Sequence, residues 1–281
     1  MYPIQHVVYI NLDSRPDRRI QVENELTKIG IPNPPYRFAG VQLPQKIGSG
    51  AIGCSMSHLK CLEMAKENNW DMVMIVEDDI QFTKPLNFRN QLIKFLKNHP
   101  PGSFNVLLLA GNNIPPYKKI DNTCVQVGFC QTTTGYIVCN HYYDTLIENY
   151  RAGIRNLIRE PEKGILFAID KFWYQLQERD KWLLLVPLSV TQHEDFSDIE
   201  QKVTNYHNMM LDIDKESLVK RGLKMPYVVG PNNELKFMTL SSHPTATSNT
   251  AKPKPITSSI PPDINRHVVT NNMKNIILRP S

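Results

Sequence analysis

Short apolar runs along this chain alternate with stretches in which apolar residues recur every three or four positions, and that alternation predicts strands separated by helices. His6 to Leu12 reads as a first strand, and the polar turn Asp13-Ser14-Arg15-Pro16-Asp17-Arg18-Arg19 leads into a helix near 17–29 that stops at Gly30. Pro32, Pro34 and Pro35 mark a loop. Met56, Leu59, Leu62 and Ala65 fall at helical spacing, so a helix is expected over 56–69 with Ser55 or Ser57 as its cap. Residues 73–79, Val-Met-Ile-Val-Glu-Asp-Asp, are an apolar run tipped by three carboxylates, the pattern of a buried strand. A helix near 86–98 follows, closed by Pro100-Pro101-Gly102. Strands are expected over 106–109, 125–129, 135–139 and 182–190, with helices over 141–150 and 165–179. Strands and helices in this order predict an α/β domain with a single mainly parallel sheet flanked by helices.

The pattern fades after about residue 240. Ser241 to Pro262 is rich in Ser, Thr and Pro and reads as an extended linker, while Asp263 to Ser281 regains apolar residues such as Val268, Ile276 and Leu278. The chain is therefore divided into a catalytic-sized domain over 1–225 and a Pro/Ser/Thr-rich linker and tail over 226–281.

Hydrophobic residues at 41% and charged residues at 21% are ordinary for a soluble globular protein. The net charge of +5 is spread along the chain rather than gathered in runs, which suits a pocket for a small anion and argues against nucleic acid as partner. The five cysteines include no CxxC pair, so neither a zinc ribbon nor a disulfide framework is suggested. No apolar stretch approaches the ~18 residues that would span a membrane. Met-Tyr-Pro-Ile-Gln-His runs straight into the first strand without a signal-peptide pattern, so a cytoplasmic, reducing setting is expected.

In open α/β sheets, ligands bind beyond the carboxyl ends of the strands. Glu77, Asp78 and Asp79 would project there, and three adjacent acids call for a hard divalent cation with oxygen ligands, shared with nucleotide phosphates. An acidic cap on a surface turn is the plain alternative. Arg15, Arg18 and Arg19 beside a helix start suit phosphate. Gly53-Cys54-Ser55-Met56-Ser57-His58 either approaches a nucleotide or caps its helix. Thr132-Thr133-Thr134-Gly135 offers hydroxyls for a sugar, and Asp170 lies beside aromatic residues where an acid could deprotonate a hydroxyl. His193, directly after the last strand, is a further candidate for metal or phosphate.

Taken in order and spacing, these segments resemble glycosyltransferase family 25, which includes lipooligosaccharide and collagen hydroxylysine galactosyltransferases. The matching residues are Ile10-Asn11-Leu12 with Arg15, Asp17 and Arg18; Gly53-Cys54 with Ser57-His58-Leu59; Ile75-Val76-Glu77-Asp78-Asp79-Ile80; Thr134-Gly135-Tyr136; Asp170; and Ser197-Asp198-Ile199. The resemblance runs from about 6 to 200 and implies a GT-A-type nucleotide-sugar transferase fold that uses a UDP-hexose (galactose or glucose) with Mn²⁺ and inverts the anomeric centre. It implies Asp79 and Glu77 as metal ligands, with Glu77 in the first place of the family's Asp-x-Asp. His193 is a third ligand by likeness to GT-A enzymes generally. Asn11, Leu12, Arg15, Arg18, Ser57, His58, Glu77, Asp78 and Thr134 would hold the donor, and Asp170 would be the base. The implied acceptor is a saccharide or a collagen-like chain. The rival classes are a metal-dependent phosphohydrolase, which would want further carboxylate or His clusters for a second metal, and a nucleotide-binding module without chemistry.

Overall fold

The computed structural model describes residues 4–31, 35–197, 199, 202–215, 227–229 and 235–237. The expected domain boundary, Asp198 and all of 226–281 but residues 227–229 and 235–237 lie outside them. The strands are β1 (Val7–Asn11), β2 (Tyr36–Ala39), β3 (Met72–Glu77), β4 (Ile80–Phe82), β5 (Val106–Leu108), β6 (Asn112–Asn113), β7 (Tyr117–Lys119), β8 (Cys124–Val127), β9 (Cys130–Gln131), β10 (Gly135–Cys139), β11 (Trp182–Leu185), β12 (Val190–Gln192), β13 (Asp195–Ser197) and β14 (Lys202–Thr204). The helices are α1 (Pro16–Lys28), α2 (Ser49–Glu67), α3 (Pro85–Asn98), α4 (Tyr143–Arg159), α5 (Gly164–Phe167), α6 (Ile169–Phe172), α7 (Tyr174–Arg179) and α8 (His207–Leu211).

Eight strands form the central sheet in the order β2-β1-β3-β10-β5-β11-β8-β7. β1 pairs in parallel with β2 and β3, and β5 with β11. β10 runs antiparallel between β3 and β5, and β8 runs antiparallel to β11 and β7. All members except β10 and β8 therefore point the same way, so the expected mainly parallel sheet is present. Alternate residues of each strand face opposite layers. Val7, Tyr9, Met74, Val76, Leu107 and Ile137 join Val22, Leu26, Phe88, Leu92 and Phe95 of α1 and α3 in one core. The opposite face, with Val8, Val73 and Ile75 fully buried, is covered by α2 and α4, which pack on each other. Burial on both faces is why β3 reads as an unbroken apolar run rather than an alternation.

Several boundaries differ from the sequence reading, each for a local reason. The helix expected from 56 begins at Ser49, so Ser55 and Ser57 are interior and not caps; their hydroxyls bond back to Ala51 O and Gly53 O, both at 2.8 Å. The true start is Gly48, at φ +75, where a Cβ would lie 2.7 Å from Pro161 O. The stripe of α4 continues to Leu157 past Gly153, which makes room for Phe172. The helix expected over 165–179 is three short ones, interrupted at Ala168 (ψ 144) and Trp173. The last expected strand stops at Leu185 before Val186-Pro187, and its remainder, β12, pairs with β4 in a separate ribbon.

Candidate functional site

The carboxyl end of β3 has an unusual neighbour because β10 is antiparallel. Gly135 pairs with Val76, so the segment Gln131–Thr134 enters the sheet beside Glu77, and Glu77 N–H donates to Thr134 O at 3.0 Å. The side chain of Glu77 turns toward α2. Its Oε1 accepts from Thr133 Oγ1 at 2.8 Å and lies 3.2 Å from His58 Nε2 and 3.5 Å from Cys54 Sγ. Burial alone would raise this carboxyl, but the His58 contact, together with the Thr133 and Cys54 donors, holds it below the usual range.

His58 is itself fixed from behind. Its Nδ1 lies 2.8 Å from Tyr136 Oη, and Tyr150 Oη of α4 donates to Tyr136 Oη at 3.1 Å. The Glu77 carboxylate takes the His58 Nε2–H as its donor, and Nδ1 pairs with the Tyr136 hydroxyl. The resulting chain Tyr150–Tyr136–His58 is buried between α2, α4 and the sheet and ends on the half-buried Glu77.

Asp78 turns the other way. Its Oδ2 accepts from Asn11 Nδ2 at 2.7 Å and its Oδ1 from Arg18 NH1 at 3.2 Å. Burial raises its carboxyl in spite of both. Arg18 also donates to Asp195 Oδ2 at 3.0 Å, and Arg15 reaches the same oxygen at 2.6 Å. Burial opposes the charge of Arg18, yet Asp79 and Asp78 outweigh it and hold the guanidinium protonated. Asn11, 1% exposed, completes the network through Arg37, which donates to its Oδ1.

Asp79 stands apart from both networks. Its backbone carbonyl accepts from His193 N–H at 2.7 Å, but its carboxylate Oδ1 is buried with no hydrogen-bond partner among the described residues. Burial, then the charges of Glu77 and Asp78, push this carboxyl well above the usual range, against the pull of Arg18. An orphaned carboxylate oxygen beside two further acids is the environment that a hard cation relieves, so Asp79 fits the expected metal, whereas Glu77 Oε1 is already engaged by Thr133 and His58. His193 is adjacent through its backbone only. Its Nε2 is 3.6 Å from Glu25 Oε1, and the ring faces α1 rather than the acids.

Asp170, on the first turn of α6, accepts from Thr132 N–H at 3.2 Å, and Lys171 Nζ lies 3.4 Å away. Thr132 adopts φ +78, a left-handed conformation that costs a β-branched residue about 1–3 kcal/mol. The threonine run therefore links Asp170 at Thr132 to Glu77 at Thr133. Around it, buried polar atoms remain unpaired among the described residues: Thr132 Oγ1, Thr134 Oγ1, Gln131 Nε2 and Asn112 Oδ1. Asn112 joins because β6 pairs with β9, Asn112 opposite Gln131.

Of the residues expected from sequence, the structure thus gathers Asn11, Arg15, Arg18 and Asp78 in one network, and His58, Glu77, Thr134 and Asp170 along another. Ser57 bonds only to backbone, holding Val41 N–H at 2.8 Å; Gly53 permits this approach, since a Cβ there would lie 2.4 Å from Val41 O. The half-buried Leu12 supplies the carbonyl that closes the turn to Arg15 at 3.0 Å. Asp195, Tyr150, Gln131 and Asn112 received no role from the sequence. Asp195 sits in the acidic stretch after His193, but only the β13–β14 ribbon turns it back toward the arginines.

A strand ending in acids, flanked by an arginine network and an unpaired hydroxyl wall, has the features of a site for a charged, sugar-bearing ligand. Residues 40–151 match the model of glycosyltransferase family 25, described as an LPS biosynthesis protein. The chain is 22% identical over 270 residues to a "Glycosyltransferase 25 family member" of Aedes aegypti, covering 79% of this chain and 42% of that protein. It thus spans less than half the length of the curated relative it matches. Both matches support family 25 glycosyltransferases as the family of this chain. Among solved structures, it is similar to a glycosyltransferase involved in glycosylation of the major capsid of PBCV-1 (TM-score 0.39, 11% identity, 65% of this chain and 82% of that one). Another is mannose-1-phosphate geranyltransferase from Thermus thermophilus (TM-score 0.39, 9% identity, 64% and 72%). Among the described residues no helix is long and apolar enough to cross a membrane.

Proposed function

We propose that this chain transfers a hexose, galactose or glucose, from a UDP-sugar to a hydroxyl of a glycan or a hydroxylysine-containing protein, with inversion and with a divalent cation such as Mn²⁺. The observation that carries this reading is the buried, unpaired carboxylate oxygen of Asp79 beside Glu77 and Asp78. Asp79 and Glu77 would hold the cation, and His193 joins them only by turning away from Glu25. When bound, that ion neutralises the charge developing on the departing diphosphate.

Arg15 and Arg18 are already bonded to Asp195, so a diphosphate reaches them by displacing that carboxylate; Asp195 acts as its stand-in. Asn11 holds the turn that presents them, donating to Arg15 O at 2.9 Å. The unpaired Thr134 hydroxyl suits a sugar hydroxyl. Asp170, held by Thr132 N–H, accepts the acceptor's proton during a single displacement.

UDP release from a panel of UDP-sugars with Mn²⁺, with and without EDTA, tests this. We expect chelator-sensitive release from one donor and its loss in Asp79→Asn. Release that ignores EDTA and survives Asp79→Asn would overturn the cation's place at the end of β3. No release from any donor, with no Mn²⁺-dependent UDP binding, would overturn the transferase itself.

A further inference from the structure

Away from this site, at the other side of the sheet, three side chains of different chemistry converge. β8 is separated from β3 by β10, β5 and β11, which at ~4.8 Å per strand is on the order of 19 Å. There His99, which follows α3, places its Nε2 3.0 Å from Asp121 Oδ2 and 3.7 Å from Cys124 Sγ, and the thiol lies 3.8 Å from Asp121 Oδ1. We propose that His99, Asp121 and Cys124 bind a zinc-class divalent ion, with water completing a tetrahedron.

The spacing is the first argument. Bonds of about 2.0–2.3 Å in tetrahedral geometry separate the donor atoms by about 3.3–3.6 Å. The thiol stands 3.7 Å from the imidazole Nε2, within a few tenths of an ångström of that, and Asp121 Oδ2, the oxygen not held by its own turn, is 3.0 Å from the imidazole and need only part from it slightly. The donors are also fixed before any ion arrives. Asp121 Oδ1 accepts from Thr123 N and Thr123 Oγ1, both at 2.6 Å, and from Cys124 N at 3.2 Å, which locks the carboxylate onto its own turn. The His99 ring stacks on Phe95 with centroids 4.7 Å apart, and Cys124 is buried at the first position of β8. Ligands oriented by such second contacts lose little freedom on coordination.

Charge is the second argument. A neutral imidazole, a carboxylate and a thiolate carry two negative charges, which a dication cancels. Coordination takes the Cys124 side chain as its thiolate, so the ion must displace the thiol's proton and binding releases it to solvent. The donor set also selects the metal: thiolate and imidazole favour Zn²⁺ and Co²⁺ over Mg²⁺ and Mn²⁺, the reverse of the oxygen-rich end of β3. Among the described residues the other Cys–His–carboxylate group, Cys54, His58 and Glu77, lies inside the site already described. The ion would tie the end of α3 to the outer β8–β7 strands.

Cobalt titration of the metal-free full chain tests this. We expect a near-ultraviolet thiolate-to-Co²⁺ band saturating at one equivalent, absent in Cys124→Ser and retained in Cys54→Ser. Should Cys124→Ser fail to fold, Asp121→Asn and His99→Asn serve in its place, each weakening Co²⁺ affinity at least tenfold. Zinc should raise the melting temperature of the wild type and leave these variants unmoved. Absence of the band in the wild type, its survival in Cys124→Ser, unweakened Co²⁺ affinity in both substitutes, or its loss in Cys54→Ser would each overturn the proposal.

Discussion

The two flanks of the β3 terminus treat their polar groups in opposite ways. On the α1 flank every charge described has a counter-charge: Arg15 and Arg18 meet Asp195, Arg18 meets Asp78, and Asn11 bridges them. On the β10 flank, Thr132, Thr134, Gln131 and Asn112 keep buried polar atoms with no partner among the described residues, and between the flanks Asp79 keeps a carboxylate oxygen. Leaving a buried neutral group unpaired costs about 1–3 kcal/mol, and leaving a buried charge unpaired costs more. A fold can therefore leave hydroxyls and amides waiting for a ligand, but must pair its arginines internally until a better anion arrives. The first flank is a set of ion pairs to be exchanged, and the second is a set of vacant donors and acceptors to be filled.

The largest expected effect breaks the second flank at its base. Asp170→Asn should lower kcat by about 10²–10⁴-fold while leaving UDP binding by calorimetry unchanged. Equal losses in both would mean that Asp170 only braces the Thr132 turn. Next, Asp195→Asn should separate stability from binding. Removing the shared carboxylate leaves two guanidiniums with less compensation and should cost about 1–2 kcal/mol in denaturant melts. The same change should tighten UDP, because the diphosphate no longer competes with Asp195. Weaker UDP binding would instead make Asp195 a scaffold for the arginines.

The hydroxyls sharpen the contrast. Thr134→Val removes a group with no internal partner, so stability should hold or rise while the KM for the donor sugar increases up to about tenfold, the worth of one hydrogen bond. Ser57→Ala removes a hydroxyl bonded to Gly53 O and Val41 N and should do the reverse, costing about 1 kcal/mol of stability with little change in KM. The smallest effect is a slope. The Asp79 carboxyl is raised in the fold, so the native state keeps its proton where the unfolded chain has lost it, and this group's contribution to stability falls as pH climbs above the ordinary carboxylate pKa of about 4. In metal-free buffer, Asp79→Asn should therefore melt higher than wild type, by a margin that grows from pH 4 upward. A margin independent of pH would remove the charge argument.

Much of the sheet was legible because β3 and β5 are buried on both faces, so their apolar runs stand out at any register. β2 was not, since its four residues are exposed or half-buried at an edge and carry no run. The start of α2 was misplaced because Ser55 and Ser57 look like caps, and only the left-handed Gly48 against Pro161 shows the true one. The acidic tip could be read as a cluster, yet its three members face three directions, which spacing cannot reveal. Asp195 and Asn112 depend on ribbons formed with strands remote in sequence or too short to show a period, so nothing local marks them.

The buried chain from Tyr150 to Glu77 gives the site a handle on its far side. An engineer wishing to retune the end of β3 without touching the ligand surface could work from α4, in the helix layer behind the sheet. Tyr150→Phe would take away one hydroxyl, free Tyr136 to reorient, and relax the hold of His58 on Glu77. The opening of the cleft would keep its shape while its grip changed, much as a violin is tuned from the peg and not from the string under the bow.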